Sequence, residues 1–297
     1  MTDASSNRSR IPHPGWIALL AVLLLIGGIV LSFWMPLQRR QWVIQEIKAM
    51  GGVVQTKPGG PEWLRNLVGD EAMEVFDEPW LVQSNGLSGL PSGPAPLSDE
   101  HLQVIGEWTS LTGLDLSGTR ISNEGLKNLA NLSNLGGLAL DNTQISDEGL
   151  AHLAGLTKLE SLVLNNTQVS DEGLKHLTGL TKLHQLGLDG TQISDDGLKH
   201  LGSLSFLHRL SLNSTQIGDE GLKHLGGLTQ LHYLILDDTQ IGDDGLKHLG
   251  RLRNLDDLSL DRTQISDEGL AHLVGLVTLR ALRLSGTQTS DEGLKQL

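Results

Sequence analysis

The 297-residue chain has no cysteine, which excludes disulfides, thiolate metal sites and thiol nucleophiles while fitting either side of a membrane. Aromatic residues are almost as scarce. From Leu111 onward only Phe206 and Tyr233 occur, too few for a surface that stacks sugar rings or bases in series. Basic residues are outnumbered 22 to 35, and a net charge of −13 argues against nucleic acid, whose phosphates need a basic surface. The deficit is spread along the chain, with 24 acidic and 15 basic side chains in residues 111–297 and 11 and 7 in residues 1–110, so neither part is a polyanionic tail. A glycine-rich phosphate loop with its lysine, a His-Glu-x-x-His pair and a nucleophile elbow are all missing.

What the chain does have is a strict period. Leu111, Leu135, Leu159, Leu183, Leu207, Leu231, Leu255 and Leu279 each open a 24-residue unit without insertion or deletion. One unit reads Leu159-x-x-Leu162-x-Leu164-x-x-Thr167-x-Val169-Ser170-Asp171-Glu172-Gly173-Leu174-x-x-Leu177-x-x-Leu180. A unit this short can bury its aliphatic side chains only against its neighbours, so the array is a solenoid. Leu162 and Leu164, two apart, share one face of a short strand, and Ser161, Val163 and Asn165 take the other. Ser170 reads as a helix N-cap, with Asp171 and Glu172 at the positive end of the helix dipole and Lys175 one turn on. Leu174, Leu177 and Leu180 recur every three residues, as a short and partly 3₁₀ helix packed on the strand layer would require.

The spacing Leu-x-x-Leu-x-Leu-x-x-(Asn/Cys)-x-Leu is that of the leucine-rich repeat, which the chain resembles. The Ser-Asp-Glu-Gly-Leu segment is similar to its ribonuclease-inhibitor-like and cysteine-containing subtypes, with Thr119, Thr143, Thr167, Thr191, Thr215, Thr239, Thr263 and Thr287 where the family has Asn or Cys. The resemblance implies an α/β solenoid with a curved parallel sheet on its concave face and short helices on its convex face. It also implies that each threonine satisfies backbone groups where the strand turns inward. Bacterial membrane-anchored repeat proteins look similar too, including a helix ending in Gly-Gly and a later Pro-x-Trp-Leu-Arg, here Gly51-Gly52 and Pro61 to Arg65.

Ahead of the array, residues 1–15 form a basic tail. Trp16 to Met35 carries no charge and Ser32 as its one polar side chain apart from glycine. A helix of that length spans ~30 Å, the thickness of a bilayer core, so an uncleaved single-pass transmembrane helix is expected over 16–35. Arg8 and Arg10 precede it and Arg39, Arg40 and Lys48 follow, a near balance in which the short basic tail ahead of the first apolar segment favours repeats outside the cytoplasm over the reverse. Residues 36–86 read as a juxtamembrane cap, with Val43, Ile44, Ile47 and Met50 at helical spacing and a second helix carrying Leu67 and Val68 on one face. Counting back 24 residues puts Leu87, Leu90 and Leu97 in repeat register, making 87–110 a degenerate first repeat before seven full units and one truncated unit in 111–297. The truncated unit would leave an apolar face and a strand edge for self-association.

Ser, Asp and His recur together, as in Ser146, Asp147 and His152, but a catalytic set is assembled once, so these are framework and no catalytic residue is assigned. His152, His176, His200, His224, His248 and His272 line the helix side as a solvated column, and paired acids such as Asp195-Asp196 serve helix ends; no metal or cofactor is expected. The strand's outward positions, by contrast, change in nearly every unit. One column runs Ser161, Gln185, Arg209, Tyr233, Asp257 and another Val163, Gly187, Ser211, Ile235, Ser259. A third, Asp141, Asn165, Asp189, Asn213, Asp237, Asp261, adds acidity that implies a basic or hydrogen-bonding partner. The expected function is a non-enzymatic membrane-anchored module binding a protein through Gln185, Arg209, Tyr233, Ile235, Asp237, Asp257 and Asp261, with an envelope array or a wall-carbohydrate binder as the alternative.

Overall fold

The computed structural model describes residues 14–83 and 97–296, with the side chains of residues 14–21 and several more up to 33 outside the description. The chain divides into two units, Met1–Trp42 and Val43–Leu297. The first is described by helix α1 (Pro14–Ala49), whose last turns, from Val43, belong to the second. Among the described residues no helix is long and apolar enough to cross a membrane; most of the expected span over 16–35 lies outside the described side chains. Val22, Leu25, Trp34 and Met35, which are described, are all exposed.

The second unit is built on one ten-stranded sheet whose spatial order follows the sequence. Strands β1 (Val53–Lys57) and β2 (Glu78–Gln83) form an antiparallel pair, and β2 then pairs in parallel with β3 (Gly113–Asp115). From there each strand adds to the last in parallel: β4 (Gly137–Ala139), β5 (Ser161–Val163), β6 (Gln185–Gly187), β7 (Arg209–Ser211), β8 (Tyr233–Ile235), β9 (Asp257–Ser259) and β10 (Ala281–Arg283). Because the period is fixed, Leu138, Leu162, Leu186, Leu210, Leu234 and Leu258 fall in register, and all are buried in one continuous core with the helix-side leucines. That core is capped at the start by Val43, Ile44, Ile47 and Met50 of the α1 end. In the last unit Leu279, Leu282 and Leu284 are only partly buried and Leu294 is 47% exposed.

Two recurring sets of hydrogen bonds shape the array, one inside each unit and one between units. Each buried threonine donates its Oγ1 proton to the carbonyl three residues back, as Thr119 does to Leu116 at 2.6 Å and Thr167 to Leu164 at 2.6 Å, closing the turn after the strand. The turn passes through the left-handed region at the preceding residue, taken by glycine at Gly118 and Gly190 but by Asn142, Asn166, Ser214, Asp238 and Arg262 elsewhere. On the helix side, Asp147 accepts the Ser170 backbone N–H at 2.7 Å and its hydroxyl at 2.6 Å, joining one unit to the next. Asp171 holds Ser194, Asp243 holds Ser266 and Asp267 holds Ser290 in the same way; Asp195 and Asp219 hold the backbone N–H of Gly218 and Gly242. Ser170 holds the expected N-cap position, though its hydroxyl accepts no cap hydrogen bond, whereas Ser194, Ser266 and Ser290 donate to the preceding unit and also accept a backbone N–H of their own helix. The second acid of each pair keeps the expected role, with Glu172 bridging Lys175 and Glu220 bridging Lys223.

The same ladder explains the glycine of Ser-Asp-Glu-Gly-Leu. A Cβ on Gly197 would lie 2.3 Å from Asp171 Oδ1, and one on Gly221 2.4 Å from Asp195 Oδ1. The carboxylate of one unit occupies the space that a side chain of the next would need.

Two features of the cap and the start of the array bear on the sequence reading. Leu87 and Leu90 lie outside the described residues, while the place beside β3 is taken by β2, with Val82 paired to Leu114. From Leu97 on, helix α3 (Asp99–Ile105) and the buried Leu102, Ile105 and Trp108 follow the repeat. Helix α2 (Glu62–Val68) forms after Pro61 as read, but Trp63, Leu67 and Val68 are 67%, 74% and 47% exposed rather than packed. Its anchoring instead comes from Arg65, which donates to Asp77 at 2.5 Å and to the Gly59 carbonyl at 3.0 Å.

Two substitutions test the framework by chemical denaturation. Leu162→Ala is expected to lower the unfolding free energy by ~2–5 kcal/mol through the cavity it leaves. Gly197→Ala, a change of one methyl group, is expected to cost ~1–3 kcal/mol by forcing Asp171 off its ladder; an unchanged midpoint for Gly197→Ala would contradict the contact.

Candidate functional site

Every residue expected at the binding face belongs to the sheet or to the turn just after it. The register aligns Ser161, Gln185, Arg209, Tyr233, Asp257 and Ala281 in one line, and Val163, Gly187, Ser211, Ile235, Ser259 and Arg283 in a second. Neighbouring strands lie ~4.8 Å apart, so side chains one unit apart touch. Gln185, Arg209 and Tyr233 are exposed, Ile235, Asp237, Asp257 and Asp261 are half-buried, and Ser211 and Ser259 are buried.

Arg209, Tyr233, Ile235, Asp237 and Asp257 are brought together with Ser259 and Arg283 around a shallow depression of about 310 Å³. Gln185 and Asp261 do not line it. The Arg209 guanidinium sits 5.6 Å from the Tyr233 ring centroid, a cation–π contact that orders both long side chains without covering either. On the other side Arg283 grips Asp257 through two bonds of 2.5 and 3.1 Å, and the carboxylate hydrogen bonds raise the guanidinium pKa. The Ser259 hydroxyl, 1% exposed, has no hydrogen-bond partner, whereas Ser211 one column place earlier donates to Asp189 at 2.6 Å. Arg283 is the residue that reading by column passed over; extending the second column by one more 24-residue step reaches it.

The third column has a structural task that its sequence did not announce. Asp141 accepts the Asn165 backbone N–H, Asn165 that of Asp189, Asp189 that of Asn213, Asn213 that of Asp237, Asp237 that of Asp261 and Asp261 that of Ser285, at 2.6 to 3.2 Å. Only an Asp or Asn has the length and acceptor to reach the next unit's backbone here, which accounts for their alternation. Burial raises the Asp141 pKa, opposed by hydrogen bonds from Ser117 and Asn165. Asp237 and Asp261 are thus framework first, and their column is a weaker sign of a basic partner than its charge suggests.

The helix side behaves as read in part. His152, His176, His200, His224, His248 and His272 are all half-buried, and His200 Nε2 is enclosed without a partner, burial lowering that ring's pKa. Asp195 holds Gly218 and Asp196 pairs with Lys199 at 3.3 Å, so these acids are occupied by the fold.

The leucine-rich-repeat family model matches residues 109–130, 155–177, 203–226 and 228–250. Among solved structures the chain is similar to internalin C2 of Listeria monocytogenes, at 32% identity over 66% of this chain and 77% of that one, with a TM-score of 0.53. It is also similar to a second internalin of that organism, inlF, at 25% identity over 66% and 67%, with a TM-score of 0.50. No curated protein matches the chain.

The geometry separates face residues from framework residues by stability. Tyr233→Ala and Arg209→Ala are each expected to stay within ~0.5 kcal/mol of the parent in thermal unfolding. Asp237→Ala strands the Asp261 N–H and is expected to cost ~1–3 kcal/mol. Equal losses at all three positions would contradict the division.

Proposed function

Since the chain belongs to the leucine-rich-repeat family, we propose that it is a non-enzymatic, membrane-anchored module that binds a protein partner on the outward face of its sheet. The observation that carries this reading is the Arg209–Tyr233 pair beside Ile235, which forms the edge of a depression where the repeat framework is otherwise uniform. Tyrosine and arginine are the residues that most often dominate protein interfaces, and a solenoid's stacked strands offer an extended surface for them. The alternation of Arg209, Asp257 and Arg283 favours a partner surface carrying hydrogen-bonding groups and both signs of charge, rather than a purely basic one. With Tyr233 as the one aromatic of the depression, a sugar platform is less well supported.

The anchor reading rests on the uncharged stretch from Trp16 to Met35, which falls within helix α1, and on the exposure of Val22, Leu25 and Trp34 along it. The basic tail before it favours repeats outside the cytoplasm.

A photocrosslinking amino acid in place of Tyr233 is expected to give a discrete partner adduct in intact cells, and one at Lys247 on the helix side is not. Adducts from Lys247 alone would overturn the face assignment. The full chain is expected to stay with membranes through alkaline carbonate washing, and its repeats to be digested by protease added to intact spheroplasts. Recovery in the soluble fraction would remove the anchor, and protection until lysis would reverse its orientation.

A further inference from the structure

A fourth column lies beside the three already described, at the residue that precedes each strand: Glu160, His184, His208, His232, Asp256 and Arg280. Three imidazoles occupy consecutive places in it. Their backbones are locked together, the His184 carbonyl accepting the His208 N–H at 2.8 Å and the His208 carbonyl accepting the His232 N–H at 2.9 Å. The rings are neighbours as a result, with centroids 5.2 Å apart for His184 and His208 and 5.5 Å for His208 and His232, the latter two nearly parallel at 7°.

Asp256 gives this row a chemical direction. Its Oδ2 lies 2.6 Å from His232 Nδ1, and its Oδ1 lies 3.6 Å from Arg280 Nε, which helps hold the carboxylate in place. A neutral imidazole whose Nδ1–H donates to a carboxylate keeps its Nε2 lone pair free, the arrangement that prepares a histidine to bind a metal. The pair is open to solvent, the side chains of His232 and Asp256 being 36% and 28% exposed.

We propose that His208 and His232 form a two-imidazole site for a divalent transition ion of the zinc class, with Asp256 as its positioning residue. Imidazole nitrogens bind zinc at ~2.0–2.1 Å, which sets two ligand nitrogens about 3.4 Å apart around a tetrahedral ion. Rings with a centroid separation of 5.5 Å reach that by side-chain rotation alone, since the strands beneath them are fixed. Among the described residues no three His, Asp or Glu groups converge on a single ion position. The ion is therefore held by two protein ligands, with water completing its shell, and it exchanges with solvent. Imidazole ligands select zinc, nickel and copper over calcium and magnesium, which prefer oxygen. The helix-side histidines lack this carboxylate arrangement; His200, for one, encloses its Nε2 without a partner. The assignment does not depend on the partner-binding reading, because its test uses the ion alone.

Zinc titrated calorimetrically into the full chain in detergent micelles is expected to bind saturably at one ion per chain. His208→Ala and His232→Ala are each expected to weaken binding at least tenfold, while His152→Ala leaves it unchanged and calcium does not compete. Asp256→Asn is expected to weaken it by roughly 10–100-fold and to alter the tautomer of His232 in nitrogen-15 spectra, a change that loss of packing alone would not produce. Far-ultraviolet circular dichroism checks that each variant is folded, with His208→Gln and His232→Gln used where an alanine variant is not. Absence of saturable binding, or unchanged binding in the folded His208/His232 double variant, would overturn the site.

Discussion

The carboxylate of the first aspartate in each Ser-Asp-Glu-Gly-Leu segment is the contact on which the array depends. Asp171 reaches back-to-front across the repeat boundary, takes the backbone N–H and hydroxyl of Ser194, and fills the space left by the missing side chain of Gly197. A single carboxylate thus fixes the position, the turn and one residue identity of the following unit. Charge-assisted hydrogen bonds of this kind are about twice as strong as neutral ones, and they recur here at each step except that to Ser146, where the amide of Asn123 takes the aspartate's place. Leucine burial supplies the driving force for stacking, but it is non-directional; the helix-side carboxylates and the third-column Asp and Asn side chains set the register, while the buried threonines close the turn inside each unit.

That commitment on the helix side frees the sheet side. Backbone pairing, the leucine core and the third-column ladder need only a small acceptor or a leucine at their positions, and they place no demand on the side chains of the first column. Arg209 and Tyr233 can vary there without harm to the fold, which is why function is expected where the repeat is least repetitive. The same freedom applies to the residue just before each strand, where three successive histidines and an aspartate occur together.

Much of this was legible in the sequence because a fixed period converts residue number directly into position. The register of the strands, the core leucines, the partly 3₁₀ helices and the first two outward columns follow from counting in steps of 24. What escaped is what depends on contacts across the boundary. Asp237 and Asp261 looked like surface charge because nothing local shows that a carboxylate will meet a backbone N–H one unit away. Ser170 showed its N-cap position in the sequence, but not that its hydroxyl would donate to Asp147 of another unit. The start of the sheet escaped for a different reason: β2 has no repeat spacing, so the strand that begins the parallel register at Val82 was invisible to the count. Leu67 and Val68 had the look of a buried face, yet Arg65 carries the attachment and leaves them exposed.

The account's central claim is that the aspartate ladders and the leucines hold the fold, while the outward residues Arg209, Tyr233 and Ile235 hold the partner. A saturation scan of residues 111–297 in the full chain, read in parallel for protease resistance and for capture of the crosslinked partner, addresses it most directly. The account predicts that substitutions at Asp147, Asp171, Asp243 and their glycine partners reduce resistance and capture together, while those at Arg209, Tyr233 and Ile235 reduce capture alone. Loss of capture from folded variants that maps instead to the helix-side histidines or lysines would contradict it.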